Sequence, residues 1–218
     1  GSTACSYHHH FFQFRIMGAL ALITGATSGI GRATAVLLAA SGYQLILTGR
    51  RAERLEEVAA ACTARGAQVH TLCFDVQDAA ATEGSLEGLP EDWRAIDILI
   101  NNAGLSQGLN PVHEGLLSDW DIMLQTNVRG LLTVSRWVSK GMIARRSGHI
   151  VHVSSIAGKE VYANGNVYCA SKHAVEAIAK SMRLELNPYD IKVSSIAPGL
   201  VETEFSEVRF KGDKERAA

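Results

Sequence analysis

The chain has 218 residues, 47% of them hydrophobic and 20% charged, with a formal net charge of −1. That length suits one substantial globular core, and the near-neutral balance excludes the electrostatic attraction that nucleic-acid and membrane-surface binders rely on. No apolar run reaches membrane-spanning length, and the four cysteines (Cys5, Cys62, Cys73 and Cys169) lack CxxC or metal-ligand spacing, so a reduced, cytoplasmic chain is expected.

The first sixteen residues, GSTACSYHHHFFQFRI, read as an expression leader with a short tract at His8, His9 and His10, and Met17 reads as the native start. Residues 20–24 form a short buried strand, followed by the loop Gly25-Ala26-Thr27-Ser28-Gly29-Ile30-Gly31 and a helix over 29–40. A second strand covers 44–48, a charged-faced helix 51–64, and a third strand 68–74, which ends in Asp75-Val76. A helix near 78–87 precedes the fourth strand, 96–100, which runs into Asn101-Asn102-Ala103-Gly104. One long helix spans 118–145, with Leu124, Val128, Leu131, Leu132, Val138 and Met142 on its apolar positions. The β-branched run Ile150, Val151, Val153 reads as a fifth buried strand closed by Ser154 and Ser155. A helix starts near Asn166 and stops at Asn187-Pro188, where proline forbids continuation. A sixth strand, 192–196, ends in Pro198-Gly199. Strands alternating with helices of these lengths demand parallel pairing with right-handed crossovers. The expected fold is α/β: a Rossmann-type, doubly wound parallel sheet in three layers, a single domain over residues 17–218.

Three stretches carry chemistry. Gly25, Gly29 and Gly31 follow a strand and open a helix, as a pyrophosphate-cradling turn requires. The first permits the tight turn, the second lets backbone N–H groups approach phosphate, and the third allows close helix–strand packing. At the end of the second strand, where a carboxylate would accept both ribose hydroxyls of NAD, the chain reads Thr48-Gly49-Arg50-Arg51. Guanidinium groups pair bidentately with phosphate, so Arg50 and Arg51 favour NADP(H). Tyr168 and Lys172 stand four apart on one helix face. A phenol titrates near pH 10 in water, and a neighbouring ammonium favours its ionised form, which brings it towards the working range. Tyr-x-x-x-Lys by itself is a common chance pair, and it gains weight from the other stretches.

Together these pieces resemble the short-chain dehydrogenase/reductase family. The matching residues are Thr24-Gly25-x-x-x-Gly29-x-Gly31, Asn101-Asn102-Ala103-Gly104, Asn127, Ser155, Tyr168-x-x-x-Lys172 and Pro198-Gly199, all in family order. The resemblance implies that Tyr168 is the general acid that protonates a carbonyl oxygen and the base in oxidation. It implies that Lys172 tunes that phenol and binds the nicotinamide ribose, that Ser155 orients the substrate oxygen, and that Asn127 holds a water in a proton relay. Ser155 is preferred to Ser154 because neighbours on a strand point to opposite faces. By the same resemblance the cofactor contacts are Gly25, Thr27, Ser28, Gly29, Ile30 and Gly31 in the turn, with Asp75 and Val76 at the adenine. Asn102, Ala103 and Gly104 line the cofactor, and Pro198, Gly199, Val201 and Thr203 belong to the covering loop.

Within the family, the stretches Thr48-Gly49-Arg50-Arg51-Ala52-Glu53-Arg54-Leu55, Leu89-Pro90-Glu91-Asp92-Trp93 and Pro198-Gly199-Leu200-Val201-Glu202-Thr203-Glu204-Phe205 are similar to the NADP-dependent 3-hydroxy acid dehydrogenases. The implied partner is a small-molecule substrate, and the implied assembly is a homodimer or homotetramer. Family members continue through a further helix and a last strand, so the domain is expected to lack them. The alternatives that stay open are a 3-oxoacyl or other carbonyl reductase with the same centre, and a non-catalytic NADP-sensing protein.

Overall fold

The computed structural model describes residues 18–199 and residue 201. In chain order the elements are β1 (Leu20–Ile23), α1 (Gly29–Ala40), β2 (Gln44–Gly49), α2 (Ala52–Thr63), β3 (Val69–Cys73), α3 (Ala79–Glu87), β4 (Ile98–Asn101), α4 (Leu117–Leu124), α5 (Leu131–Arg145), β5 (Gly148–Val153), α6 (Asn166–Leu186) and β6 (Ile191–Ile196). The six strands form one sheet in the order β3-β2-β1-β4-β5-β6, and every pair is parallel. The order reverses direction between β1 and β4, so the crossovers on either side of that point leave opposite faces. A crevice therefore opens beyond the carboxyl ends of these two strands.

Strands covered on both faces must be apolar throughout, and Leu20–Ile23 is buried at all four positions. On one side Leu22, Ile46, Leu99 and Ile150 pack with Val134, Val138 and Met142 of α5 and with Ala179, Met182 and Leu186 of α6. On the other, Ala21, Ile23, Leu45 and Leu47 pack with Ala35 and Ala39 of α1 and with Leu55, Val58 and Cys62 of α2. Each fully buried Leu or Ile contributes about 1.5–3 kcal/mol relative to exposure, which holds the strand ends, and hence the crevice, in one geometry.

The long helix expected over 118–145 runs unbroken from Leu117 to Arg145 but is not α-helical throughout. Residues Gln125–Gly130 form a π-helical turn between α4 and α5. One residue more per turn widens the helix locally, a distortion that recurs at functional sites. Here it turns Thr126, Asn127 and Gly130 inward. The expected stop at Asn187-Pro188 is observed: α6 ends at Leu186, and Pro188 sits in the first turn of the short 3₁₀ helix Asn187–Tyr189, where its missing N–H costs nothing.

Candidate active site

The crevice is a groove of about 590 Å³, within the range typical of small-molecule and cofactor sites. Its walls include Gly25, Thr27, Ser28, Gly29 and Ile30, then Arg50 and Arg51, Asp75 and Val76, and Asn102 to Gly104. They continue through Ser155, Tyr168 and Lys172 to Pro198, Gly199 and Val201. Residues drawn from all six strand ends are thus gathered in one surface. Thr203 lies outside the described residues.

The glycine turn is shaped by close approach. Gly25 has φ +65°, and a Cβ there would lie 2.8 Å from the Ala103 Cα. Gly31 stands behind the turn rather than in the groove wall, and a Cβ there would run into Asn102 Nδ2 and the Gly25 carbonyl oxygen. Asn102 occupies that space because its side chain donates to the carbonyls of Thr24 and Gly25, both at 3.0 Å. The Thr24 hydroxyl accepts from the N–H groups of Asn102 and Ala103, again at 3.0 Å. These bonds sew the β1 turn to the β4 turn across the switch point. We expect Gly31→Ala to cost about 1–3 kcal/mol through overpacking against backbone, read as a lowered midpoint of urea unfolding.

The first turn of α1, Gly29-Ile30-Gly31-Arg32, carries no acidic side chain, and the Ser28 cap makes no side-chain cap hydrogen bond. The positive end of the helix dipole therefore faces the groove without a carboxylate to offset it, which suits an anionic ligand. At the end of β2, Arg51 donates to the Thr27 hydroxyl at 3.0 Å. Arg50 pairs with Asp75 at 3.3 Å, and both partners are substantially exposed. Asp75 also accepts from the Gln77 N–H at 3.0 Å. A cationic edge thus closes the groove on the β2–β3 side.

The opposite end holds the polar centre. Tyr168 and Lys172 are both buried on the inner face of α6, and the Lys172 Nζ lies 6.0 Å from the centroid of the Tyr168 ring. Nζ donates to the Val153 carbonyl at 2.9 Å, which fixes the ammonium at the end of β5. Burial pulls the Lys172 pKa down from its ordinary value to about 8. Ser155 leaves β5 with extended backbone and caps the short 3₁₀ helix Ile156–Gly158. Its Oγ accepts from the Ala157 N–H at 3.1 Å, which leaves the hydroxyl proton to donate elsewhere. Ser154 is the more deeply buried of the two and also reaches the groove wall.

Asn127 is not in the groove wall. Its side chain accepts from the Leu105 N–H and donates to the Leu105 carbonyl, both at 2.8 Å, and donates to Ser171 Oγ at 3.0 Å. Ser171 in turn donates to the Tyr168 carbonyl at 2.7 Å. The amide therefore ties the π-helical turn and the loop after β4 to the backbone of the Tyr168 helix. Sequence reasoning placed Thr24 in the matching motif but not the bonds by which its hydroxyl joins two turns, and it missed Thr126, which lines the groove. The Thr24 bonds reach backbone groups more than seventy residues away, and Thr126 enters the wall through the unforeseen π turn.

Among the described residues no cluster of His, Cys, Asp and Glu is arranged to hold a metal ion, and no helix is long and apolar enough to cross a membrane. Cys62, Cys73 and Cys169 are free thiols. The chain matches the family model described as short chain dehydrogenase over residues 19–214. It is 47% identical over 199 residues to a probable NADP-dependent dehydrogenase of Haemophilus influenzae, covering 91% of this chain and 78% of that protein. With the serine 3-dehydrogenase of Rhizobium radiobacter it shares 43% identity over the same share of each chain, 91% and 78%. Among solved structures it is similar to the closed form of a serine dehydrogenase complexed with NADP⁺, with a TM-score of 0.86 at 42% identity, covering 91% of this chain and 79% of that one. Because the family match takes in the glycine turn, the Ser155 turn and the Tyr168–Lys172 helix alike, the chain belongs to the short-chain dehydrogenase family.

Proposed function

We propose that this protein is an NADP(H)-dependent oxidoreductase that interconverts an alcohol and a carbonyl, acting on small 3-hydroxy acids or related carbonyl compounds. The observation that carries the reading is the single groove that begins at the α1 N-terminus and ends at Tyr168 and Lys172. Relatives named as NADP-dependent 3-hydroxy acid dehydrogenases, such as that of Salmonella typhimurium at 45% identity, support the substrate class.

The residues present fit a phosphorylated dinucleotide. Gly25, Thr27, Ser28, Gly29 and Ile30 would hold the pyrophosphate, with Gly31 keeping the turn tight. Arg50 and Arg51 would hold the 2′-phosphate, and Asp75 and Val76 would border the adenine. Asn102, Ala103 and Gly104 would lie along the ribose, with Pro198, Gly199, Val201 and Thr203 at the carboxamide. When bound, the nicotinamide supplies the hydride. The chain's own residues place the substrate and manage the proton. Ser155 donates a hydrogen bond to the substrate oxygen and keeps its proton, while Tyr168 gives a proton to that oxygen in reduction and takes it back in oxidation. The Lys172 ammonium favours negative charge on the phenol oxygen, and Asn127 fixes the helix turn beside it. A cytoplasmic location is supported by the free thiols of Cys62, Cys73 and Cys169. Association into a homodimer or homotetramer is supported by exposed Leu117, Leu124, Leu132 and Leu184 on α4, α5 and α6.

The test is a spectrophotometric assay of NADPH and NADH with a panel of 3-hydroxy acids and carbonyl compounds; no turnover of any member would refute the reading. Its pH dependence has a defined sign. The Lys172 cation is present below about pH 8 and lost above it, so kcat/KM for reduction is expected to fall as pH rises through that value. Stability in the free protein moves the other way. The folded chain binds fewer protons than the unfolded one between about 8 and the ordinary lysine value of 10.5, so stability should rise with pH across that window. Comparison with Lys172→Met, which carries no such group, isolates the contribution.

A further inference from the structure

On the buried face of α6, one turn beyond Lys172, an acidic side chain stands among Val175, Ala179, Met182 and Leu186. Glu176 is eight residues after Tyr168 and four after Lys172, so all three follow one face of the helix. Its carboxylate is 7% exposed and its Oε2 accepts from Lys159 Nζ at 2.5 Å. The same oxygen accepts from the Ser195 hydroxyl of β6 at 3.2 Å. Burial alone would push this carboxyl up. The hydrogen bond and charge of Lys159, with the Ser195 hydroxyl, together outweigh burial and hold it below the ordinary value. His152 of β5, which feels the Glu176 charge, is drawn down to about 4 by burial, against the pull of Glu176, so it stays neutral at working pH. The carboxylate's charge is therefore answered by Lys159.

Lys159 closes the 3₁₀ turn that Ser155 caps. That turn lies flat against α6: a Cβ on Gly158 would come 2.7 Å from the Lys172 carbonyl oxygen and 2.8 Å from Ser154 Oγ. Its other end is held by the Ile156 N–H, which donates to the Pro198 carbonyl at 3.0 Å. Glu176 thus grips, from below the site, the segment carrying the substrate-orienting hydroxyl and the helix carrying the acid. We propose that Glu176 is a positioning residue which, through Lys159, sets the height of the Ser155 turn against Tyr168. This proposal rests on the functional reading above. Displacement of a reacting group by about 1 Å can cost as much as a hundredfold in rate, so a loosened turn should appear in kcat while leaving the nucleotide end untouched.

The test compares Glu176→Gln, Lys159→Met, the double variant and Lys159→Arg. Glu176→Gln keeps an acceptor for Ser195 but loses the charge, and the half-exposed Lys159 can be replaced without disturbing the core. Each single variant should lower kcat by about tenfold, with NADPH affinity measured by fluorescence unchanged within about twofold. The double variant should lose no more than either single one, because both act through one contact. Lys159→Arg should retain kcat within about threefold. Mass-spectrometric amide exchange of residues 156–160 in the free protein should accelerate in the first three variants and not in Lys159→Arg. Losses that add in the double variant, an equal fall in NADPH affinity, or unchanged kcat and exchange would each overturn the proposal. If the parent protein turned over no substrate, the functional reading would fall, while unaltered exchange in the variants would separately remove the clamp.

Discussion

Tyr168→Phe should lower kcat by about a thousandfold, the middle to upper part of what a positioned acid or base contributes, while NADPH affinity stays within about twofold. Phenylalanine keeps the ring, and with it the packing against Leu105, Met123, Ala157 and Cys169, so the fold and the groove wall should survive. Only the phenol oxygen and its proton are removed. Rapid-mixing measurement of a single turnover separates the chemical step from product release, and fluorescence titration gives the affinity. A variant that turned over at the parental rate would take the proton-transfer role away from α6 altogether. Lys172 gives the matching control: its Nζ is tied to the Val153 carbonyl, so its loss removes charge beside the phenol and a tie to β5 together.

Replacing Arg50 and Arg51 together by alanine should cut the preference for NADPH over NADH by about a hundredfold, with little change in kcat for NADH. Hydrogen bonds to charged partners are each worth about 1.5–3 kcal/mol, and a hundredfold corresponds to about 2.7 kcal/mol. The expected change is smaller than two full bonds would give. The Arg50 side chain is 57% exposed and already paired with Asp75, so solvent screens much of its share. Arg51, held against Thr27 in the groove wall, should carry more, and Arg51→Ala alone should account for most of the change. Without Arg50, Asp75 would also face a 2′-phosphate directly and oppose it. The ratio of kcat/KM values for the two cofactors is the measurement. A ratio equal to that of the parent protein would mean that the cationic edge does not read the phosphate.

Much of the architecture is legible in the sequence. Strands of a parallel sheet are apolar on both faces, so β1, β2 and β5 stand out as runs, and their predicted bounds differ from the observed ones by one or two residues. α1 was placed at Gly29–Ala40 by its glycine start and its apolar spacing. The π turn at Gln125–Gly130 escaped because one extra residue within a long helix barely shifts the apolar period, and nothing in Gln-Thr-Asn-Val-Arg-Gly announces it. Asn127 was picked out by resemblance, but its contacts are with Leu105 and Ser171, segments that lie far apart in sequence. Glu176 drew no attention because a lone acid on a charged helix reads as solvated. It is buried only because β6, the end of β5 and the Ser155 turn converge on it.

From the order of amino acids alone came the alternation of elements, the phosphate-binding turn, the cationic pair after β2 and the Tyr168–Lys172 spacing. All of these are local, written within a turn or two of the chain, where periodicity and residue chemistry act directly. Tertiary structure decided which atoms those residues meet: the Val153 carbonyl under Lys172, the Thr24 hydroxyl between two turns, and Lys159 on Glu176. Such contacts depend on strand order and crossover, which bring together segments up to seventy-nine residues apart. No local rule carries that information, because long-range hydrogen bonds are selected by how the whole core packs.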